Sequence, residues 1–517
     1  MKNINYINTV RSFTKSIRQK NILVNLLYGV CFFFILGFTP EDTIRIFLIG
    51  DSTMANKPIV DNPEHGWGQM FPDFFNEGVQ IFNHAKNGRS TKNFISQGRW
   101  NVVFNQLKPG DYVFIQFGHN DAKKDDTLRF ALPRPDYKNN LKKFIREARQ
   151  KQAIPVLLTS ITRRDFDKDG RLKATHGEYP EVMKEVAMEE NVPLIDMFEK
   201  TKNIISQLGD EESKQFYLAG VKQNEFRHWN GKKDDTHFTR VGAIKMASLV
   251  AEGIRELKLP LADKLIKQQF PDLIGRGKVV GLDYALNDDR RYKKDSSRIF
   301  RHYAWEDSSE SGFAHLGNII DRLGADLDTL QQLPTESFLN RLSIFIVVNP
   351  AKHKSDRHSN EYVEAVEKIN SWVKKGGILI LMDNDGGKSD CTFFTSLAKN
   401  FGIEFIRNDF KKKKTSETIA GENLHQHKIF NGVNQLIATN VSTLRISEQY
   451  ESILENNGKL VMASVNVGEG LVLAISNSWL LNKYTALHQL YSGNGNIKAA
   501  KNLFTWLLTD SKLPLNK

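Results

Sequence analysis

Cysteine is nearly absent: Cys31 and Cys391 are the two in 517 residues. With the first forty residues removed only Cys391 remains, so no intrachain disulfide is expected in an exported product and the fold must be held by its apolar cores. Long apolar runs are as scarce. One, Ile22–Phe38, lies near the start, and no second run long enough to span a bilayer follows it, which excludes a multi-span membrane protein. A strong charge of one sign is missing as well. The formal net charge of +12 falls to about +7 once the first forty residues are set aside, because they hold five of the 72 lysines and arginines and none of the 60 acids. Lys411–Lys414 accounts for part of the remainder and reads as a solvated loop, since no nucleic-acid motif accompanies it. His119 has no second histidine or acid at ligand spacing, so neither a metal nor a cofactor is expected.

What is present is the composition of a globular chain, 40% apolar and 26% charged, and long enough for two or three cores. Lys2, Arg11, Lys15, Arg18 and Lys20 precede the apolar run near the start, the order of a secretory signal. Residues 1–40 are therefore expected to direct export to the periplasm, the cell surface or the medium. An uncleaved membrane anchor is the alternative, because the run approaches the ~18 residues of a span. Lipid attachment at Cys31 is not expected with Val30 before it.

From residue 41 to 263, short apolar runs alternate with amphipathic ones. Ile44–Ile49, Val79–Phe82, Tyr112–Phe117, Ile154–Thr159 and Val192–Ile195 read as buried strands. In Tyr137–Gln150, Leu141, Phe144, Ile145 and Ala148 repeat at helical spacing. Such alternation predicts a parallel sheet covered by helices on both faces, with the site beyond the carboxyl ends of the strands. Polar residues able to do chemistry collect there: Gly50-Asp-Ser52 after the first strand, Asn87-Gly88-Arg89-Ser90 after the second, Gly118-His-Asn-Asp121 after the third. Asp234-Asp-Thr-His237-Phe precedes the helical pattern Val241–Leu257. Each piece alone could be a helix cap or a turn; four of them at one sheet edge are not explained by capping. A serine hydroxyl needs an adjacent base to become a nucleophile, His237 can be that base, and a carboxylate must orient it. Asp234 and Asp235 are both candidates. The Gly-x-Ser-x-Gly elbow is absent, since Thr53-Met54 follows Ser52.

The order and types of these four blocks resemble the SGNH (GDSL-type) hydrolases. Gly88-Arg-Ser-Thr-Lys-Asn-Phe with Gly98-Arg-Trp100, Phe117-Gly-His-Asn-Asp121 and Asp234-Asp-Thr-His-Phe238 look like the rhamnogalacturonan acetylesterase branch. The resemblance implies a flavodoxin-like, three-layer α/β fold. It implies Ser52 as nucleophile, His237 as general base and acid, and Asp234 as the orienting carboxylate, with Asp235 its competitor. It further implies the Ser52 and Gly88 N–H groups and the Asn120 amide as oxyanion donors. The expected activity is a serine esterase that removes acetyl groups from rhamnogalacturonan through an acetyl-enzyme. Alternatives are an acetylesterase of xylan or another glycan, a lipid esterase, and a non-catalytic carbohydrate-binding surface protein. The expected partner is an acetylated polysaccharide or oligosaccharide, which the weakly basic balance would suit if it carries uronic acids; no nucleic acid is expected, and a membrane only if the first segment is uncleaved. The polar stretch Ala55–His65 after the first strand speaks against a lipase rim. Arg89, Trp67 and Trp100 are candidates for lining a sugar cleft or, equally, for packing, Trp229 for shaping that cleft, and Asp165–His176 reads as an exposed loop.

Residues 264–277, with Pro271, Gly275 and Gly277, read as a linker, and residues 278–517 as a second α/β domain with a partly antiparallel tail. Phe345-Ile-Val-Val-Asn-Pro350 followed by Ile369–Leu381 resembles the class I glutamine-amidotransferase-like fold. His302–Phe313 is similar to domains attached to pectin-degrading enzymes such as unsaturated rhamnogalacturonyl hydrolases. Cys391 lacks the flanking glycines of an amidotransferase nucleophile, so this domain is expected to be non-catalytic, with Trp305, Trp372 and Trp479 as stacking or core residues.

Overall fold

The computed structural model describes residues 43–509 except 77, 228, 268–272, 286–289, 293–297, 301, 350–359, 384–391, 407–415, 421–423, 425–426, 440–441, 483–484 and 486–494. The N-terminal segment, Cys391 and the Lys411–Lys414 run lie outside the described residues, as does the side chain of Trp479. Among the described residues no helix is long and apolar enough to cross a membrane.

Five parallel strands form the first sheet: β1 (Ile44–Gly50), β2 (Val79–Asn83), β3 (Tyr112–Gln116), β4 (Ile154–Leu158) and β5 (Leu194–Ile195), in the order β2-β1-β3-β4-β5. The central strands are continuous apolar runs because both faces are covered. The helices of this half include α1 (Thr91–Ser96), α2 (Arg99–Phe104), α3 (Lys138–Gln150), α4 (Tyr179–Glu189), α5 (Met197–Ser213) and α6 (Arg240–Glu256). Ile46 and Leu48 of β1 enter one core with α6, whereas Phe47 and Ile49 enter the other with α3 and α4. Leu141, Phe144, Ile145 and Ala148 of α3 are fully buried. The expected strand Val192–Ile195 shrinks to Leu194–Ile195, which pairs with Leu157 and Leu158 at the edge of the sheet. In this strand order the direction of winding reverses between β1 and β3, and ligands of open α/β sheets collect at that switch point.

The second sheet contains β6 (Val279–Asp283), β7 (Asp326–Leu330), β8 (Ile344–Val348), β9 (Ile378–Met382), β10 (Glu451–Asn456), β11 (Lys459–Val467) and β12 (Gly470–Ile475), ordered β10-β11-β12-β9-β8-β6-β7. Five strands are parallel, and β10 and β11 are an antiparallel edge. Asn457 and Gly458 both have positive φ between β10 and β11, the conformation that a tight hairpin turn demands. The helices α7 (Ala314–Arg322) and α10 (Asn496–Thr509) cover one face; α8 (Asn360–Lys374) and α9 (Thr392–Asn400) cover the other. Trp305 and Trp372 are buried in these two cores, so they pack and do not present a stacking face.

Candidate active site

The site is built where β1 ends. Gly50 is required there by close approach: a Cβ would come 2.8 Å from the Gln116 carbonyl oxygen and 2.9 Å from Met54 Sδ. The chain then turns through one helical loop, with the Met54 and Ala55 N–H groups donating to the Asp51 carbonyl. Ser52 stands on that turn.

Its hydroxyl lies 2.8 Å from His237 Nε2. His237 Nδ1 lies 2.8 Å from Asp234 Oδ2, and the other Asp234 oxygen accepts the backbone N–H groups of Thr236 and His237. Burial works to raise the Asp234 carboxyl, but the His237 hydrogen bond and charge, with the two N–H donors, hold it well below the usual carboxylate range. Facing a carboxylate, Nδ1 must carry the proton, which leaves Nε2 free to accept from the serine. Asp235 turns the other way, to Arg164 at 2.8 Å. Ser52 is 8% exposed, whereas the His237 and Asp234 side chains are 28% and 20% exposed, so the chain of three groups opens to solvent on the histidine side.

Gly88 and Asn120 follow β2 and β3, the strands that flank β1. Gly88 has φ +74°, a conformation that glycine adopts without strain. Asn120 Nδ2 donates to the Arg89 carbonyl at 3.1 Å, and Arg129 Nη1 donates to Asn120 Oδ1 at 3.4 Å. A guanidinium can only donate, so the amide oxygen must face Arg129, which fixes the amide orientation and leaves its second N–H hydrogen uncommitted. Asp121 ties these two loops together: its Oδ1 accepts the Thr91 N–H at 3.0 Å and the Thr91 hydroxyl at 2.5 Å. Burial raises the Asp121 carboxyl to about 7.

Several side chains join the site that the sequence did not single out. Lys57 Nζ pairs with Glu64 at 2.5 Å and donates to Asn87 Oδ1 at 2.7 Å. Burial lowers the Lys57 ammonium despite that pairing. Glu64 Oε1 lies 3.9 Å from His237 Nε2. Both residues sit in the polar stretch after β1, where a charged pair so close to a candidate nucleophile was the available signal. His176 corrects the expectation of an exposed loop over 165–176. It is 1% exposed, and its Nε2 lies 2.9 Å from His119 Nδ1. Burial and the nearby Arg163 charge push His176 down to about 3, and burial with the charges of His176 and Arg163 pushes His119 lower than usual, so both rings are neutral at ordinary pH.

Trp67 and Trp100 are fully buried, bonded through Nε1 to Gln116 and Glu147, and so take the packing role. Arg89 is half-buried on Gln97 and the Asn87 carbonyl. Trp229 donates to the Val221 carbonyl. No group of three or more metal-ligating side chains occurs among the described residues.

Residues 48–243 match the family described as GDSL-like Lipase/Acylhydrolase. The chain is 44% identical over 226 residues to the rhamnogalacturonan acetylesterase RhgT of Bacillus subtilis, covering 96% of that protein and 44% of this one. It is 38% identical over 225 residues to the probable rhamnogalacturonan acetylesterase YesY of the same organism, covering 99% of that protein and again 44% of this one. Among solved structures it is similar to YxiM of Bacillus subtilis, at 25% identity and a TM-score of 0.36, over 42% of this chain and 58% of that one. The protein is a carboxylic ester hydrolase. The chain belongs to the GDSL-like lipase/acylhydrolase family.

Proposed function

We propose that the protein removes acetyl groups from rhamnogalacturonan and that Ser52, His237 and Asp234 perform the reaction. The observation that carries this reading is the hydrogen-bonded chain Ser52–His237–Asp234 in a sequence 44% identical to a rhamnogalacturonan acetylesterase. In the first half-reaction His237 Nε2 takes the Ser52 proton as Oγ attacks the acetyl carbonyl carbon. The negative charge on the former carbonyl oxygen is met by the Ser52 and Gly88 N–H groups and the uncommitted Asn120 N–H, each donor typically worth ~3 kcal/mol. The intermediate collapses, His237 protonates the departing sugar oxygen, and an acetyl-enzyme remains. Water then gives a proton to His237 as it attacks the acetyl carbon, and the second intermediate collapses to acetate as His237 returns that proton to Ser52 Oγ. Asp234 stays ionised throughout, holding the ring and stabilising the imidazolium.

The pair of buried Lys57 and half-buried Glu64 beside His237 makes the wall of the site polar, which suits a glycan better than an acyl chain. We further infer that residues 1–40 export the chain, where such a polymer is met. The domain division at 264–277 is part of the same reading, as are an amidotransferase-like second half and its lack of catalysis. Acetate release from acetylated rhamnogalacturonan, xylan and mannan tests the substrate. Fastest release from rhamnogalacturonan is expected; faster release from xylan would replace that substrate and leave the esterase mechanism standing.

A further inference from the structure

The second half of the chain touches the site at the residues that shape it. Asp321, on α7, is fully buried and receives donors from two segments of the first half. Arg240, three residues after His237, donates from Nε and Nη2 to Asp321 Oδ1 at 3.2 and 2.9 Å, and reaches the Gly324 and Ala325 carbonyls and Asp326 besides. His65 Nε2 lies 3.0 Å from the same oxygen. Gln69 Nε2 donates to Asp321 Oδ2 at 3.3 Å, while Gln69 Oε1 accepts the Lys57 N–H at 2.9 Å. The two segments are also joined directly, the His65 N–H donating to the Phe238 carbonyl at 2.9 Å.

The contact extends along the whole loop from Lys57 to Gln69. Ile59 and Val60 pack into the core of the second half, and Val60 makes a parallel bridge to Leu327 of β7. Ile59 sits so tightly on α7 that a Cβ at Gly317 would come 2.6 Å from its Cδ1. Arg227, upstream of Asp234, pairs with Asp61 of the loop and with Asp328 of β7. Burial works to raise the Asp321 carboxyl, but the charges and hydrogen bonds of His65 and Arg240 outweigh it and hold the group down to about 2. A buried ionised carboxylate keeps its donors in one geometry, because leaving any of them unpaired is costly.

We propose that the second half is a built-in buttress of the ester-hydrolysing site. Asp321 is its positioning residue: through His65, Gln69 and Arg240 it fixes the segments that carry Lys57, Glu64, Asp234 and His237. What is positioned rests on the reading of Ser52 and His237 given above; the coupling between the two halves does not. The family match ends at residue 243, before α7, so this chain supplies the buttress from sequence outside that match.

The test compares full-length Asp321→Asn with Leu397→Ala, which opens a cavity in the core on the far face of the second sheet. Both are assayed below their unfolding temperatures on an activated acetyl ester. Asp321→Asn is expected to lower kcat about tenfold to hundredfold, with KM changed less, since small displacements of reacting groups cost that much. Hydrogen exchange should quicken in the peptides covering 57–69 and 234–242. Leu397→Ala should melt earlier and keep wild-type kcat and exchange in those peptides. The proposal is overturned if folded Asp321→Asn keeps wild-type kcat and exchange, or if Leu397→Ala loses as much. Should Asp321→Asn not fold, Arg240→Lys serves instead, keeping the charge and losing the bonds to Gly324 and Ala325; wild-type kcat and exchange in that variant overturn the proposal. Exchange that quickens in an enzyme whose Ser52→Ala form is fully active supports the buttress and sinks the triad.

Discussion

The two halves of the chain are both built on five parallel strands between helices, the second with an antiparallel edge added, and both end strands in polar residues, yet those residues are partnered differently. Beyond the first sheet, Ser52, His237 and Asp234 form a chain that opens to solvent. Beyond the second, Asn349 follows β8 and Asp383 follows β9, both nearly inaccessible. Asn349 Nδ2 donates to Asp383 Oδ1 at 2.5 Å, and the backbone of Asp383 bonds to Ile475 and Ser478. Polar strand ends turned on one another knit a sheet together; the same groups left open can meet a substrate. An α/β sheet thus gathers polar groups at its carboxyl edge both where they pair with one another and where they open to solvent.

The sharpest way to break this comparison is at the carboxylate. Asp234→Asn should lower kcat roughly 10⁴-fold, the loss expected when the histidine is held in the wrong tautomer. Asp235→Asn should cost about 1 kcal/mol of stability by removing the charge that pairs with Arg164 and little rate. Thermal melts and steady-state kinetics on both variants separate the two effects, and a larger rate loss at Asp235 would reassign the carboxylate. Next in size, Asn120→Ala should reduce kcat about 10²- to 10³-fold if its amide meets the oxyanion, with circular dichroism reporting an intact fold.

A smaller effect concerns pH. His176 is buried neutral, with its folded pKa of about 3 below the ordinary value of 6.5. The unfolded chain therefore binds more protons between those values, so this contribution is complete above pH 6.5 and is lost as pH falls toward 3. Melting temperatures at about pH 7 and pH 4 should fall less in His176→Gln than in the wild type, by roughly 3 °C. An unchanged pH dependence would remove the buried pair from the account. The smallest expected effect is none: Cys391→Ala should leave ester hydrolysis unaltered, and a large loss of kcat would make the second half catalytic.

Much of the first half was legible because its causes are local. Strands buried on both faces are written as continuous apolar runs such as Phe47–Ile49 and Val113–Ile115, and α3 carries its buried stripe at Leu141, Phe144, Ile145 and Ala148. Residues at strand ends share an edge by topology alone, so Ser52, Gly88 and Asn120 could be grouped without coordinates. The burial of Trp67, Trp100 and His176 was not legible, since sequence does not say which way a side chain leaves a loop or a short helix. Nor was the meeting of His65 with Asp321, 256 positions apart: a single long-range polar pair leaves no periodic trace. The pairing of Lys57 with Glu64 depends on a loop whose path is set by Ile59 and Val60 in the other half's core.

The central claim is that Ser52 becomes acetylated during turnover. Rapid quenching of the full-length enzyme with an activated acetyl ester, followed by peptide mapping, tests it most directly. An acetyl group on the peptide containing Ser52, absent from Ser52→Ala, is the predicted result. An adduct on another residue, or an equally active Ser52→Ala enzyme, would contradict the account.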